Sequence, residues 1–374
     1  MRTFITCTAI SIAVAMGASG AVKAHEAVEQ AREEARVDAM QATTTAFIAT
    51  LNDAQRDLVI AAIDDVGTRT NWSNLPVGVA PRSGIAVEEM NSGQRIAFHA
   101  MLAAAFSSQG YLTTTTIMSN EDVLHELSAS IIATMSEDDP LRAQREAFIA
   151  NYDAEKFYVV VFGDPQGSDW GWTVTGHHYA VNFTVSSGRI VFTPLFLGAN
   201  PQVVPEGRFA GFRLLQHEAD RAMALIASLD AAQLERAVIA DAVDGQVFAG
   251  PGRQDRIAAP LGIPASDLGP LQHYLLEALV NEFLDHASDE ASARQRLAID
   301  EDGVESLHFA WWGPTGEPTG RYMFRIQGPS ILIDYVRESS GDDAFNHVHS
   351  IVRDPSNDYG ADWLAIHYDE SHGE

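Results

Sequence analysis

The chain has 374 residues, with 24 Lys+Arg against 51 Asp+Glu and a formal net charge of -27. A field of that sign repels nucleic acid and anionic lipid, which excludes functions built on phosphate contacts. The single cysteine, Cys7, sits so near the start that the rest of the chain holds no disulfide, thiolate nucleophile, iron–sulfur cluster or Cys-ligated zinc.

Residues 1–24 read as a secretory leader. Arg2 supplies the positive start, and Phe4 to Ala18 is apolar or small but too short to span a bilayer. Val22-Lys23-Ala24 places small residues where signal peptidase reads them. Export to the periplasm or beyond is therefore expected, with His25 as the first mature residue. Loss of two cations, Arg2 and Lys23, and no acids takes the charge from -27 to -29 and leaves Lys156 as the sole lysine. No later apolar run is long enough for membrane insertion. About 350 residues remain, enough to bury a large core without staples. An acidic coat of this kind is an ordinary solvated surface; its functional reading is attraction of cations or metal ions.

An N-terminal helix is expected over Glu26 to Met40. Beyond it the sequence repeats. "FIATLNDAQRDLVIA" (Phe47 to Ala61) resembles "LIASLDAAQLERAVIA" (Leu225 to Ala240), and a shift of 178 also places Gly84 on Gly262, Gln94 on Gln272 and Ala100 on Ala278. Asn52-x-x-Gln55, Asn91-x-x-Gln94 and Asp230-x-x-Gln233 read as capping boxes, and Gly269-Pro270-x-Gln272 as a helix start with proline first. Phe98, Met101, Leu102 and Ala105 form a helical stripe, as do Leu276, Leu279, Val280 and Phe283. The glutamines are thus caps rather than catalytic groups.

Each helical part is followed by apolar and aromatic strands, a Gly/Pro turn and Ser-Ser-Gly. The expected fold class is α+β: one globular domain, residues 25–374, made of two pseudo-symmetric repeats (about 47–205 and 225–358), each helices followed by an antiparallel β-meander. "SGRIVF" reads as the turn and return strand of the first meander.

Thirteen histidines occur. His347-x-His349 has strand spacing, which puts both imidazoles on one face. His177 and His178 open the third strand of the first meander, where regular alternation lets only one share a face. Convergence of His177, His178, His347 and His349, with His308 on another strand, is the pattern of a three- or four-His metal site. A lone strand histidine is more often simply packed, and His308 and His367 are so read individually. Glu218 and Asp354 are the candidate catalytic carboxylates. Asn182, Arg325, Gln327 and Arg353 are candidates to orient imidazoles or bind substrate. His217-Glu218 and His125-Glu126 both lack the second histidine of the zincin helix pattern. The tryptophans Trp170, Trp172, Trp311 and Trp312 read as core before ligand platform. Walker loops, dinucleotide fingerprints and Gly-x-Ser-x-Gly elbows are absent from the sequence after the leader.

The segments "WGWTVTGHHYAVNFTV", "TPLFLGANP", "HFAWWGP", "MFRIQGPSILIDY" and "HVHSIVRDPSNDYG" resemble domain-of-unknown-function family 3500 over about Phe47 to Tyr368. The resemblance implies an exported protein and transfers no catalytic residue. Three functions follow from the residues. The first is a metal-dependent hydrolase with a divalent transition metal, zinc before copper or iron, acting on a small-molecule or extracellular substrate. The second is an all-histidine copper or iron oxidoreductase. The third is a binding or structural protein with packed histidines. Oligomeric state is not legible.

Overall fold

The computed structural model describes residues 6–372 apart from 245–247, 254–256, 258, 341 and 342. Side chains are described from residue 27 onward, except those of 340, 343, 344 and 367–372. The leader and its cleavage site, His25, His367 and His372 fall outside the described residues or side chains.

The helices are α1 (Thr6–Thr50), α2 (Asp53–Val59), α3 (Val66–Arg69), α4 (Ser92–Ala105), α5 (Ser108–Ala133), α6 (Arg142–Ile149), α7 (Gln216–Ser228), α8 (Ala231–Ala237), α9 (Pro270–Leu284), α10 (Asp289–Asp302) and α11 (Ala361–His372). The strands are β1 (Ile60–Ala61), β2 (Ile85–Ala86), β3 (Tyr158–Gly163), β4 (Asp169–Gly176), β5 (Tyr179–Ser186), β6 (Arg189–Val191), β7 (Leu195–Ala199), β8 (Val238–Ala240), β9 (Ile263–Pro264), β10 (His308–Trp312), β11 (Tyr322–Gln327), β12 (Leu332–Ser340) and β13 (Asp343–Arg353). Among the described residues no helix is long and apolar enough to cross a membrane. The first helix runs past the expected Met40 to Thr50 and buries Phe47, with Leu51 buried just beyond its end.

Local chemistry explains the helix starts. Asn52, Asn91 and Asp230 each accept the N–H of a glutamine three residues on, and that glutamine's side chain accepts the N–H of the cap. The glutamine amides also tie helices together. Gln94 donates to the Thr50 carbonyl and to Gln55, at 3.1 and 2.7 Å; Gln272 donates to the Ser228 carbonyl and to Gln233, at 2.9 and 2.7 Å. Both expected stripes are buried, Phe98 to Ala105 on α4 and Leu276 to Phe283 on α9. Gly84 and Gly262 have φ of +93° and +91°, and a Cβ on either would lie 2.0 Å from a strand carbonyl, Val159 or Phe309. Only glycine fits there.

All thirteen strands belong to one sheet, in the order β1-β3-β4-β5-β7-β13-β12-β11-β10-β8, with β2, β6 and β9 beside β3, β5 and β10. Two features correct the antiparallel expectation. β1 runs parallel to β3, and β8 parallel to β10, so the sheet is mixed. Those strands are too short to carry a readable hydrophobic period. The two antiparallel runs, β3-β4-β5-β7 and β10-β11-β12-β13, are joined edge to edge: β7 pairs antiparallel with β13, from Leu195↔Val352 to Ala199↔Val348, which makes the sheet continuous.

Alternation along the strands sorts the core. Tyr179, Val181 and Phe183 join a large cluster with helix residues such as Phe98, Ile117 and Leu276. Ala180, Phe196 and Ile351 pack instead with Trp72 and Tyr359 from loops, and Trp312, Met323 and Val336 pack with Phe248. Helices thus cover one face, and loops cover the other.

Candidate metal centre

His177 and His178 do not begin a strand. They are the two-residue turn between β4 and β5, closed by the Gly176↔Tyr179 pair. His178 has φ 60°, a left-handed conformation that histidine tolerates better than bulky residues. The turn frees both rings from strand alternation, and their centroids lie 3.6 Å apart. Both reach Glu121 on α5. His177 Nδ1 meets Glu121 Oε2 at 2.7 Å, and His178 Nδ1 meets Oε1 at 2.8 Å. The stripe Gly110, Thr114, Ile117, Glu121 and Leu124 is the buried face of α5, and Thr114 anchors it to Tyr179 by a 2.9 Å hydroxyl contact.

The other two histidines come from β13, two residues apart and on one face, with ring centroids 4.3 Å apart. His349 is held from behind by Glu338 of β12, Nδ1 to Oε1 at 2.9 Å. His178 Nε2 lies 2.9 Å from His347 Nε2. His349 Nε2 is buried with no hydrogen-bond partner. One nitrogen from each of His178, His347 and His349 falls within 4.8 Å of the others.

Gly198 makes this convergence fit. It lies on β7 between the two contributing segments: its N–H donates to the His178 carbonyl at 2.7 Å, and it pairs with His349 across the ladder. A Cβ on Gly198 would stand 2.9 Å from His349 Cδ2 and 3.1 Å from His178 Cδ2. The missing side chain is the space the rings occupy.

Burial favours the neutral form of His178, His347 and His349. It pushes His178 down to about 4, helped by the charge of His177 and opposed by Glu121. Burial likewise takes His347 well below the usual histidine value, with His349 and His178 adding to it, and lowers His349 against the pull of Glu338. Burial alone would raise Glu121, but His177 and His178 hold it below the usual carboxylate range. In Glu338 burial pushes upward too, and the bond from His349 outweighs it. Ionised carboxylates therefore face the neutral rings of His178 and His349. Each carboxylate accepts an Nδ1–H, which leaves the lone pair of that ring on Nε2.

His349 and Glu338 line a cleft of about 410 Å³ on the loop-covered face. Tyr152, stacked on His177 at 5.3 Å and 11°, borders a more apolar cavity of about 540 Å³ between α5 and α6. The smaller cleft is the relevant one, because it touches a converging histidine.

The remaining expected site residues are dispersed. His308 begins β10, three strands from β13, and its Nδ1 contacts the Ser306 carbonyl at 2.9 Å. Glu218 is buried against His286 Nε2 at 3.2 Å. Asp354 shapes a turn, accepting from Ser356 and from the Asn357 N–H. Asn182 bridges Thr173 and the Pro194 carbonyl. Gln327 is buried at the end of β11. Arg325 and Arg353 build the cleft wall. Arg325 forks onto Asp334, at 2.6 and 2.7 Å, and Asp334 accepts the Ala249 N–H at 2.8 Å. Arg353 donates to the Ala249 and Gly250 carbonyls at 2.8 and 3.0 Å. Together they fix the segment that presents Phe248 to the cleft. Sequence reasoning missed Glu121 and Glu338. The signals were an acid on the apolar stripe of α5, and an acid that shares a strand face with Asp334 and Val336.

No curated protein and no solved structure matches the chain. The family model described as "Protein of unknown function (DUF3500)" matches residues 33–361, nearly the whole chain, which therefore belongs to that family.

Proposed function

We propose that the protein is an exported metal-dependent enzyme, hydrolytic in type, with a zinc ion held by His178, His347 and His349. One observation carries the reading: three imidazole nitrogens lie within 4.8 Å of one another while Glu121 and Glu338 accept hydrogen bonds from Nδ1–H of two of the rings. Carboxylate-backed histidines of this kind fix the ligating tautomer at metal sites. Three neutral histidines with an open position on a cleft suit catalytic zinc, whose ligand nitrogens stand about 3.3 Å apart at bond lengths of about 2.05 Å. A divalent ion there would act as a Lewis acid and lower the pKa of a water toward ~7. Glu338, on the cleft, is the carboxylate best placed to accept a proton; Glu218 and Asp354 have structural partners instead. His177 would serve by packing and by sharing Glu121. The substrate is a small or extracellular molecule, and nucleic acid is disfavoured by charge.

We infer further that the chain is an internal duplication. Matched capping glutamines, the paired positive-φ glycines and the parallel entry strands β1 and β8 support it. The site would then lie at the seam, with a histidine turn from one half and a histidine strand from the other. Gly328-Pro329-Ser330, between β11 and β12, would replace the histidine turn in the second half.

The test is elemental analysis of untagged protein purified from the exporting compartment. About one zinc per chain is expected from a single site of this type. Copper or iron in its place would favour the oxidoreductase reading, since all-histidine sites suit them too. Absence of any metal after reconstitution refutes the proposal. Chelation should lower thermal stability, by about 2.7 kcal/mol relative to metal at a hundredfold excess over its Kd.

A second expectation concerns Glu121→Gln. The amide keeps the shape but offers one acceptor where two Nδ1–H groups arrive. One imidazole loses its partner, and the buried negative charge disappears. Zinc affinity, read by competition with a chromophoric chelator, should fall about 10–100-fold.

A further inference from the structure

We propose that the cleft over His349 binds a small organic acid, with its carboxylate on Arg253 and Arg321 and its apolar body against Phe248 and Met323. The inference rests on the proposed metal site and names its substrate class. Cations are scarce in this chain of net charge -27, and several exposed arginines are neutralised by an acid, as in Arg213–Asp220 and Arg236–Asp267. Arg253 and Arg321 are exposed, line the same cleft, and have no ion-pair partner among the described residues. Two guanidinium groups with no salt bridge, although the charge of Arg321 also acts on Glu338, are each able to fork onto a carboxylate and make an anion-selective feature in an otherwise repelling surface.

The rest of the cleft sets the ligand. Leu75, Phe248, Met323 and Val336 give it an apolar wall. Its volume of about 410 Å³ suits a small ligand rather than a polymer. Glu338 faces the same space and penalises a phosphate dianion more than a carboxylate monoanion. The walls are fixed from below. Arg82 donates to the Leu75 carbonyl at 2.7 Å and to Thr175 Oγ1 at 3.2 Å, one residue before the Gly176 that opens the histidine turn. A carboxylate seated on the arginines would place the rest of the molecule beside His349.

The experiment is calorimetric titration of the zinc-reconstituted, leader-free chain with phenyl- and alkyl-carboxylates of graded length, and with the amide of each. At least one acid should bind, more tightly than its amide and less so as salt rises. Its affinity should drop about tenfold or more in the R253Q/R321Q variant, whose exposed substitutions leave the circular dichroism unchanged. Equal binding of acid and amide, unchanged affinity in the variant, or no binding by any member of the series overturns the proposal. Zinc content is measured on the same samples. Retained zinc with arginine-independent binding sinks the anion site alone. Arginine-dependent binding by protein that never retains metal sinks the metal reading alone.

Discussion

Alanine at His349 is expected to abolish zinc retention through dialysis, with little change in folding. His349 contributes Nε2, a buried imidazole nitrogen with no hydrogen-bond partner. Its removal cuts three converging donors to two, and two imidazoles no longer fill a catalytic zinc site, which takes three protein ligands. The fold should survive, because the partner left behind, Glu338, keeps about a third of its side chain exposed at 31% and regains water. His347→Ala should behave alike. His177→Ala is the contrasting variant: its ring touches Glu121 and Tyr152 but is not among the three converging nitrogens. It should still hold zinc, more weakly. Elemental analysis of the three variants, with circular dichroism as the folding control, decides the matter. Retention of one zinc per chain by His349→Ala would remove this histidine from the site.

The contrast between those variants shows what the sequence could convey. His347-x-His349 was legible because strand spacing alone puts two side chains on one face, and β13 pairs regularly with β12 from His347 to Arg353. The capping boxes were legible for the same reason: each is complete within four residues. His177 and His178 were found as residue types but placed in the wrong local structure. "GHHYAVNF" runs straight into an alternating strand, and nothing local marks His178 as a left-handed turn residue. That conformation is imposed by the β4–β5 hairpin and by Glu121, which lies 56 residues earlier than His177. Glu121 and Glu338 acquire their roles only through contacts made in three dimensions. Each reads as an ordinary acid in a chain with 51 of them. The parallel pairs β1/β3 and β8/β10 were hidden because two- and three-residue strands have no period. Gly198 was invisible for a subtler reason: its function is the volume it does not fill.

Replacing Asp334 by alanine is expected to cost about 3–5 kcal/mol of stability, the range for breaking a buried ion pair from one side. Asp334 is 0% exposed and Arg325 is 2% exposed. The carboxylate takes two bonds from that guanidinium and one from the Ala249 N–H. Alanine leaves a cation out of reach of bulk water and a backbone donor without its acceptor, and each carries its own desolvation penalty. Asparagine in the same place keeps the shape and one acceptor, so it should cost less than alanine but more than a surface change. Denaturant unfolding of the wild type and both variants gives the comparison. The consequence should reach the cleft as well. Asp334 and Arg353 hold the segment at Ala249 and Gly250 from opposite partners, and that segment carries Phe248 and leads to Arg253. With Asp334 gone, Arg353 still ties the segment through the Ala249 and Gly250 carbonyls. Carboxylate binding should then weaken even at temperatures where the Asp334→Ala chain is fully folded, while zinc content stays at the wild-type level, because no group in the histidine and glutamate cluster contacts Asp334 directly. Loss of zinc in that variant, with the fold intact, would show that the cleft wall and the metal cluster are one mechanical unit rather than two.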